Sequence, residues 1–152
     1  MIGRLAVASK IQIKKDMKSI NDFYLGQTAE LTHCYSEEEV NRFAEISGDH
    51  NPVHLDAEYA KNTRFGKKLV HGFLSGSLIS AVLGNVCPGE GSIYMNQNMD
   101  FLRPVFIGDT ITAKVVVTAI DKEKKQMTLT TTCINQNGKT VIDGSALMYY
   151  PY

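Results

Sequence analysis

The chain has 152 residues, enough to bury one substantial core and too few for two comfortable domains. At 43% hydrophobic and 21% charged it has the profile of an ordinary folded domain, not of a disordered or fibrous chain. Sixteen Lys and Arg balance sixteen Asp and Glu, so the overall charge gives no support to nucleic-acid binding.

Residues 1–20 read as an N-terminal extension ahead of a single domain over 21–152. Arg4, Lys10, Lys14, Lys15 and Lys18 stand there against Asp16 alone. The apolar cluster Leu5 to Ala8 is too short for a signal-peptide core. Gln27 to Tyr35 alternates moderately and predicts a first strand. Ser36 followed by Glu37, Glu38 and Glu39 is a capping box, with acids where a helix dipole favours them. Val40, Phe43, Ala44 and Ile46 supply the apolar face of that helix, which should stop at Gly48.

The stretch Ser47 to Asp56 carries Asp49 and His54. Gly48 and the Asn51-Pro52 step mark a turn, because Pro fixes its own φ and biases the residue before it toward extended backbone. The segment is therefore expected to be non-helical, with carboxylate and imidazole converging on one point. Ordinary side-chain pKa values of ~3.9 for Asp and ~6.5 for His let such a pair hold one proton between them near neutral pH. That suits moving protons on and off a water molecule. The bland alternative is that Asp49 and Asn51 cap backbone N–H groups and His54 is only a packed side chain.

Asp56 should cap a short helix through Lys61. Arg64, Lys67 and Lys68 follow in a loop, either solvated or placed to meet the phosphates of an extended substrate. From Phe73 to Val86 apolar residues surround most of a helix, which predicts a buried one. Gly76, Ser80 and Gly84 recur every fourth residue on it, a small-residue ridge for close packing. The apolar run Phe73 to Cys87 is broken by Ser and Gly and falls short of the ~20 residues of a membrane span. After the turn Pro88 to Gly91, the runs 92–101, 110–120, 127–135 and 139–149 are rich in β-branched and aromatic residues and separated by turn chemistry. One strand, short helices, a long buried helix and four strands specify α+β, with the helix across one curved sheet. Cys34, Cys87 and Cys133 are far apart and show no metal-ligand spacing, so no metal or disulfide framework is expected and a reducing cytoplasm fits.

The run Phe43 to Asp56 resembles the hydratase motif of the MaoC-like family, the (R)-specific enoyl-CoA hydratases: an aromatic residue, a spacer, a small residue, Gly, then Asp-x-Asn-Pro-aliphatic-His-x-acidic. The resemblance continues through Val70-His71-Gly72, Gly91 to Tyr94 and Phe101 to Asp109, and covers the chain from about Asp22 onward. It implies a hotdog fold, a curved antiparallel sheet wrapped around a long central helix, and a homodimer with the thioester tunnel at its interface. It also implies reversible hydration of trans-2-enoyl-CoA to the (3R)-3-hydroxyacyl-CoA, with coenzyme A as part of the substrate and no separate cofactor. Asp49 and His54 would hold the water, and the Gly72 N–H would receive the thioester oxygen, unless Gly72 merely starts a helix. Asn51 would brace the loop. Ser80 matches a serine of the family pattern, and either supports the site or bonds back to its own helix; His71 belongs to the motif and either serves the site or orients the loop. Three rivals stand beside this reading. An acyl-carrier-protein dehydratase differs only in the carrier. A thioesterase needs a carboxylate that the helix from Gly72 to Val86 lacks. An acyl-thioester-binding module has no reason to keep both Asp49 and His54.

Overall fold

The computed structural model describes residues 18–152. The elements run β1 (Thr28–Cys34), α1 (Glu37–Ser47), α2 (Pro52–Leu55), α3 (Ala57–Lys61), α4 (Gly72–Asn85), β2 (Ile93–Phe101), β3 (Thr110–Asp121), β4 (Gln126–Asn135) and β5 (Thr140–Tyr149). All strand pairings are antiparallel, and the five strands lie in the order β1-β3-β4-β5-β2. This is the expected α+β architecture.

Period-two alternation decides which face of the sheet is covered. Ile111, Ala113, Val115 and Val117 of β3 point inward, as do Met127, Leu129 and Cys133 of β4. α4 lies across that face, and Ile79, Val82 and Leu83 have no solvent exposure. Each such side chain stabilises the fold by about 1.5–3 kcal/mol. The small-residue ridge on α4 is shorter than expected. A Cβ at Gly76 would stand 3.0 Å from the Met99 sulfur on β2, but Gly84 has open space beside it and Ser80 is exposed. Only the first turns of the helix press against the sheet closely enough to require glycine.

The boundary of the N-terminal extension also shifts. Residues 1–17 of that segment lie outside the described residues, but Lys18 to Ile20 belong to the domain. Ile20 is buried and its N–H donates to the Tyr152 carbonyl at 2.8 Å, while the Tyr150 hydroxyl donates to the Lys18 carbonyl at 3.0 Å. A basic, acid-poor run gave no local sign of a contact made with the far end of the chain.

β2 is the last strand in the order, and its outer edge has no strand partner among the described residues. Ile93, Met95, Phe101 and the adjoining Leu102 are each about half exposed, at 54%, 51%, 49% and 52%. An apolar, unpaired edge of this kind is one that soluble proteins ordinarily cover.

Candidate active site

The site begins at the end of α1. Ser36 and Glu39 cap its start reciprocally, as the sequence indicated, and Gly48 ends it in the left-handed region at φ 77°. A side chain is disfavoured there, so glycine releases the chain into the loop at this point. The Asp49 carboxylate accepts the Asn51 N–H at 3.1 Å, and the Asn51 side-chain oxygen accepts the Val53 N–H at 3.2 Å. Asn51 is therefore the N-cap of α2. Here the expectation of a non-helical segment is corrected: Pro52 to Leu55 forms one helical turn that carries His54. Proline is accommodated at its first position, where the missing N–H has no helical acceptor to lose.

Residues 69–71 bind this loop from the other side. The Leu69 N–H donates to the Val53 carbonyl at 3.1 Å, and His54 Nδ1 stands 2.8 Å from the Leu69 carbonyl. Facing a carbonyl, Nδ1 carries the hydrogen and leaves Nε2 as the free lone pair. Burial is the largest influence on His54 and pushes its pKa below the ordinary 6.5; the Leu69 carbonyl and the Asp49 charge pull upward, and His71 pushes down. The imidazole is thus held neutral and able to accept a proton near pH 7. The Asp49 carboxylate is exposed, and potential ligand atoms of Asp49, His54 and His71 lie within 4.8 Å of one another. The two imidazoles stack at 3.9 Å with 26° between their planes. Their in-plane lone pairs run side by side and do not converge, and each ring has one nitrogen against a carbonyl. That arrangement suits proton transfer better than shared metal coordination.

His71 precedes α4 and offers no side-chain cap to it. The first intrahelical bond runs from the Ser75 N–H to the His71 carbonyl at 3.1 Å. The amides of Gly72, Phe73 and Leu74 come before it and have no acceptor within the helix. Gly72 and His54 line the same cavity of about 250 Å³, with Leu69, Val70, Phe101, Leu102, Val105 and Ile142 as its apolar wall. A Cβ on Gly72 would stand 2.9 Å from the Phe101 ring, so a side chain there would have to displace that ring.

Not every expected residue arrives here. Ser80 is exposed, about 80° round the helix from Gly72 and about 12 Å along its axis. The hydroxyl at the cavity is Ser75, buried and donating to the Gly72 carbonyl at 2.8 Å. Its position three residues after Gly72, on the same side of the helix, was the signal available. Arg64 lines the cavity, stacked on Phe65 at 4.8 Å. Lys67 and Lys68 do not: they border a separate depression, Lys67 over the Phe106 ring at 4.3 Å and Lys68 paired with Glu37. Arg103, which the sequence placed within the resemblance but gave no site role, lines the cavity and donates to the Thr140 carbonyl at 2.6 Å.

An antiparallel sheet laid over one long helix, with an Asp/His pair beside the open start of that helix, defines a hotdog-fold protein. The sequence comparisons agree. The MaoC-like domain family matches residues 17–138, and the chain belongs to that family. It is 47% identical to an (R)-specific enoyl-CoA hydratase of Rhodospirillum rubrum, over 86% of this chain and 90% of the relative. The solved (R)-hydratase from Aeromonas caviae superposes with a TM-score of 0.83 at 43% identity, covering 85% of this chain and 98% of that one. A mitochondrial 3-hydroxyacyl-[acyl-carrier-protein] dehydratase of Solanum lycopersicum is 36% identical, over 99% of this chain and 92% of the relative.

With His54 neutral as the active form, kcat/KM is expected to hold from pH 7 down to the ordinary histidine value of 6.5 and to fall only below it, because burial has lowered the folded-state pKa. Stability follows the same sign. The unfolded chain binds the proton more readily, so His54's contribution is full above about 6.5 and is lost as pH falls through its folded-state value. A pH–rate profile of wild type against His54→Gln checks this, since the acid limb should vanish with the imidazole.

Proposed function

We propose that the protein is an (R)-specific enoyl-CoA hydratase, adding water reversibly to a trans-2-enoyl-CoA to give the (3R)-3-hydroxyacyl-CoA. The observation that carries this reading is the Asp49/His54 pair, held beside the unpaired amides at the start of α4.

The thioester oxygen lies on the Gly72 N–H, where the partial positive charge of the helix start stabilises the enolate as it forms. One such donor is worth ~10²–10³ in rate. A water between the Asp49 carboxylate and His54 Nε2 attacks C3. Its oxygen forms the new bond to C3, the alkene pair moves to C2 and the thioester oxygen, and His54 takes the released proton. Return of a proton from the pair to C2 completes the addition of one water. His54 lines the cavity and the Asp49 carboxylate lies within 4.8 Å of it, so the pair approaches the alkene from one side and both additions occur on one face. Asn51 serves through its cap and has no chemical step. No metal or organic cofactor enters these steps.

Coenzyme A is the favoured carrier because the more similar relatives are named for it, while the acyl-carrier-protein dehydratase is the more distant match. The two arginines at the cavity, Arg64 and Arg103, are placed to meet phosphate at the end of the pantetheine arm. Lys67 and Lys68, already engaged elsewhere, are dropped from that role. A second copy of the chain is proposed to pair with the exposed edge of β2, covering Ile93, Met95 and Leu102. No helix among the described residues is long and apolar enough to cross a membrane. A cytoplasmic setting is proposed on the three free cysteines.

Crotonyl-CoA hydration should be followed at the enoyl-thioester absorbance. Asp49→Asn and His54→Gln should each lower kcat by at least ~10²-fold with little change in melting temperature. The product should serve a dehydrogenase selective for (R)-3-hydroxyacyl-CoA and not its (S) counterpart; substantial turnover by either variant removes that residue from the mechanism. Arg64→Ala and Arg103→Ala should each raise KM for crotonyl-CoA by about 5- to 10-fold while leaving crotonyl-pantetheine, which has no phosphate, unaffected. Sedimentation should give twice the chain mass, and Leu102→Glu should shift the protein toward monomer.

A further inference from the structure

We infer that His71 is the positioning residue of the site: its imidazole holds the main chain of Asp49 and the ring face of His54 in register with the Gly72 amide, without touching substrate. Placing substrate at this site rests on the hydratase reading above; the geometry of the clamp does not. His71 is 1% exposed and absent from the cavity wall, so no ligand reaches it. Three contacts nevertheless run from it to the parts of the site. Its Nε2 stands 3.0 Å from the Asp49 carbonyl. Its ring stacks on His54 at 3.9 Å. Its main chain leads directly into Gly72, and its carbonyl accepts the first helical bond of α4. Phe43 of α1 closes the far side of the ring at 4.9 Å and keeps it from swinging away.

The state of the ring follows from these neighbours. A carbonyl oxygen only accepts, so Nε2 carries the hydrogen and donates to Asp49. Nδ1 is then a bare acceptor, and it is buried with no partner among the described residues. Buried polar atoms are ordinarily paired, and an orphan lowers stability. A hydrocarbon or phenyl side chain would occupy the same space without that penalty. The imidazole is therefore accounted for by what Nε2–H does, which is to fix the backbone from which the Asp49 carboxylate hangs. Shared metal coordination does not explain it, because the rings are stacked and Nε2 is already engaged.

Two substitutions separate the donor from the filler. His71→Phe keeps a flat ring against His54 and removes the donor; His71→Gln places an amide N–H close to where Nε2 stood and removes the ring. In folded protein, His71→Phe should lower kcat for crotonyl-CoA by at least ~10-fold, in the direction of the ~10²-fold that a misplacement of about 1 Å costs. KM should stay within about threefold, and His71→Gln should recover most of the lost kcat. A purely structural residue would lower melting temperature in both variants and leave kcat per folded molecule unchanged. The wild-type ring supplies a readout that needs neither turnover nor a folded variant. Nitrogen-15 spectra at about pH 8, where imidazoles are neutral, should show His71 as the Nε2–H tautomer with a slowly exchanging ring proton. An Nδ1–H tautomer, or His71→Gln no faster than His71→Phe, overturns the inference. Inactivity of the wild type toward crotonyl-CoA would instead overturn the hydratase reading while the tautomer still decides the clamp.

Discussion

The pairing of Asp49 with His54 depends on a seam between two distant pieces of chain, residues 49–54 and residues 69–71. The seam consists of the Leu69 N–H on the Val53 carbonyl, the Leu69 carbonyl on His54 Nδ1, and the Asp49 carbonyl on His71 Nε2. Remove it and the Gly48-to-Leu55 loop retains only its own short caps, which orient backbone but do not aim side chains. The seam continues to the connection between β2 and β3: the Val70 N–H donates to the Val105 carbonyl, and Leu69 bridges to Phe106. Through these bonds the loop that bears Asp49 and His54 is referenced to the core rather than to solvent.

That referencing also governs the electrostatics. His54 is half-buried because it sits under the seam, and burial is the largest influence lowering its pKa; an exposed imidazole on the same loop would be closer to its ordinary value. α4 faces the cavity with amides that His71 leaves uncapped, so partial positive charge meets the place proposed for the thioester oxygen. A capped helix end would be more stable and a poorer electrophile. Stability withheld at Nδ1 of His71 and at the start of α4 lies within one region, which is where a site that must act on a ligand differs from the packed sheet behind it.

Elements whose causes lie within a few residues were legible. The capping box at Ser36, the Gly48 stop, the Asp56 cap and the alternating strands all appear where the residues indicated, because caps and period-two burial are local geometry. The Asn51-Pro52 step was half legible. Pro does end what precedes it, but it also starts a helical turn, and only the cap from Asn51 with the hold from Leu69 decides that His54 rides on such a turn. The choice between hydroxyls on α4 was not local at all. Ser75 and Ser80 are equally small and polar, and the angle at which the helix crosses the sheet turns one to the cavity and the other to solvent.

The basic loop shows the same division. Arg64, Lys67 and Lys68 are alike as a string of charges, yet Lys68 meets Glu37 from thirty-one residues earlier and Lys67 meets Phe106 from beyond α4. Arg103 arrives at the cavity from the far end of β2. By itself the sequence determined the family and the α+β class, and it singled out Asp49 and His54 as the proposed acid/base pair, because the motif packs those residues into one short loop whose turns are set by Gly48, Asn51 and Pro52. The tertiary structure alone decided that His71 lies beneath both members of that pair, that burial lowers the His54 pKa, and which cations face the cavity. Those facts are contacts between segments far apart in the chain, and no residue's local preferences encode which distant surface it will be packed against.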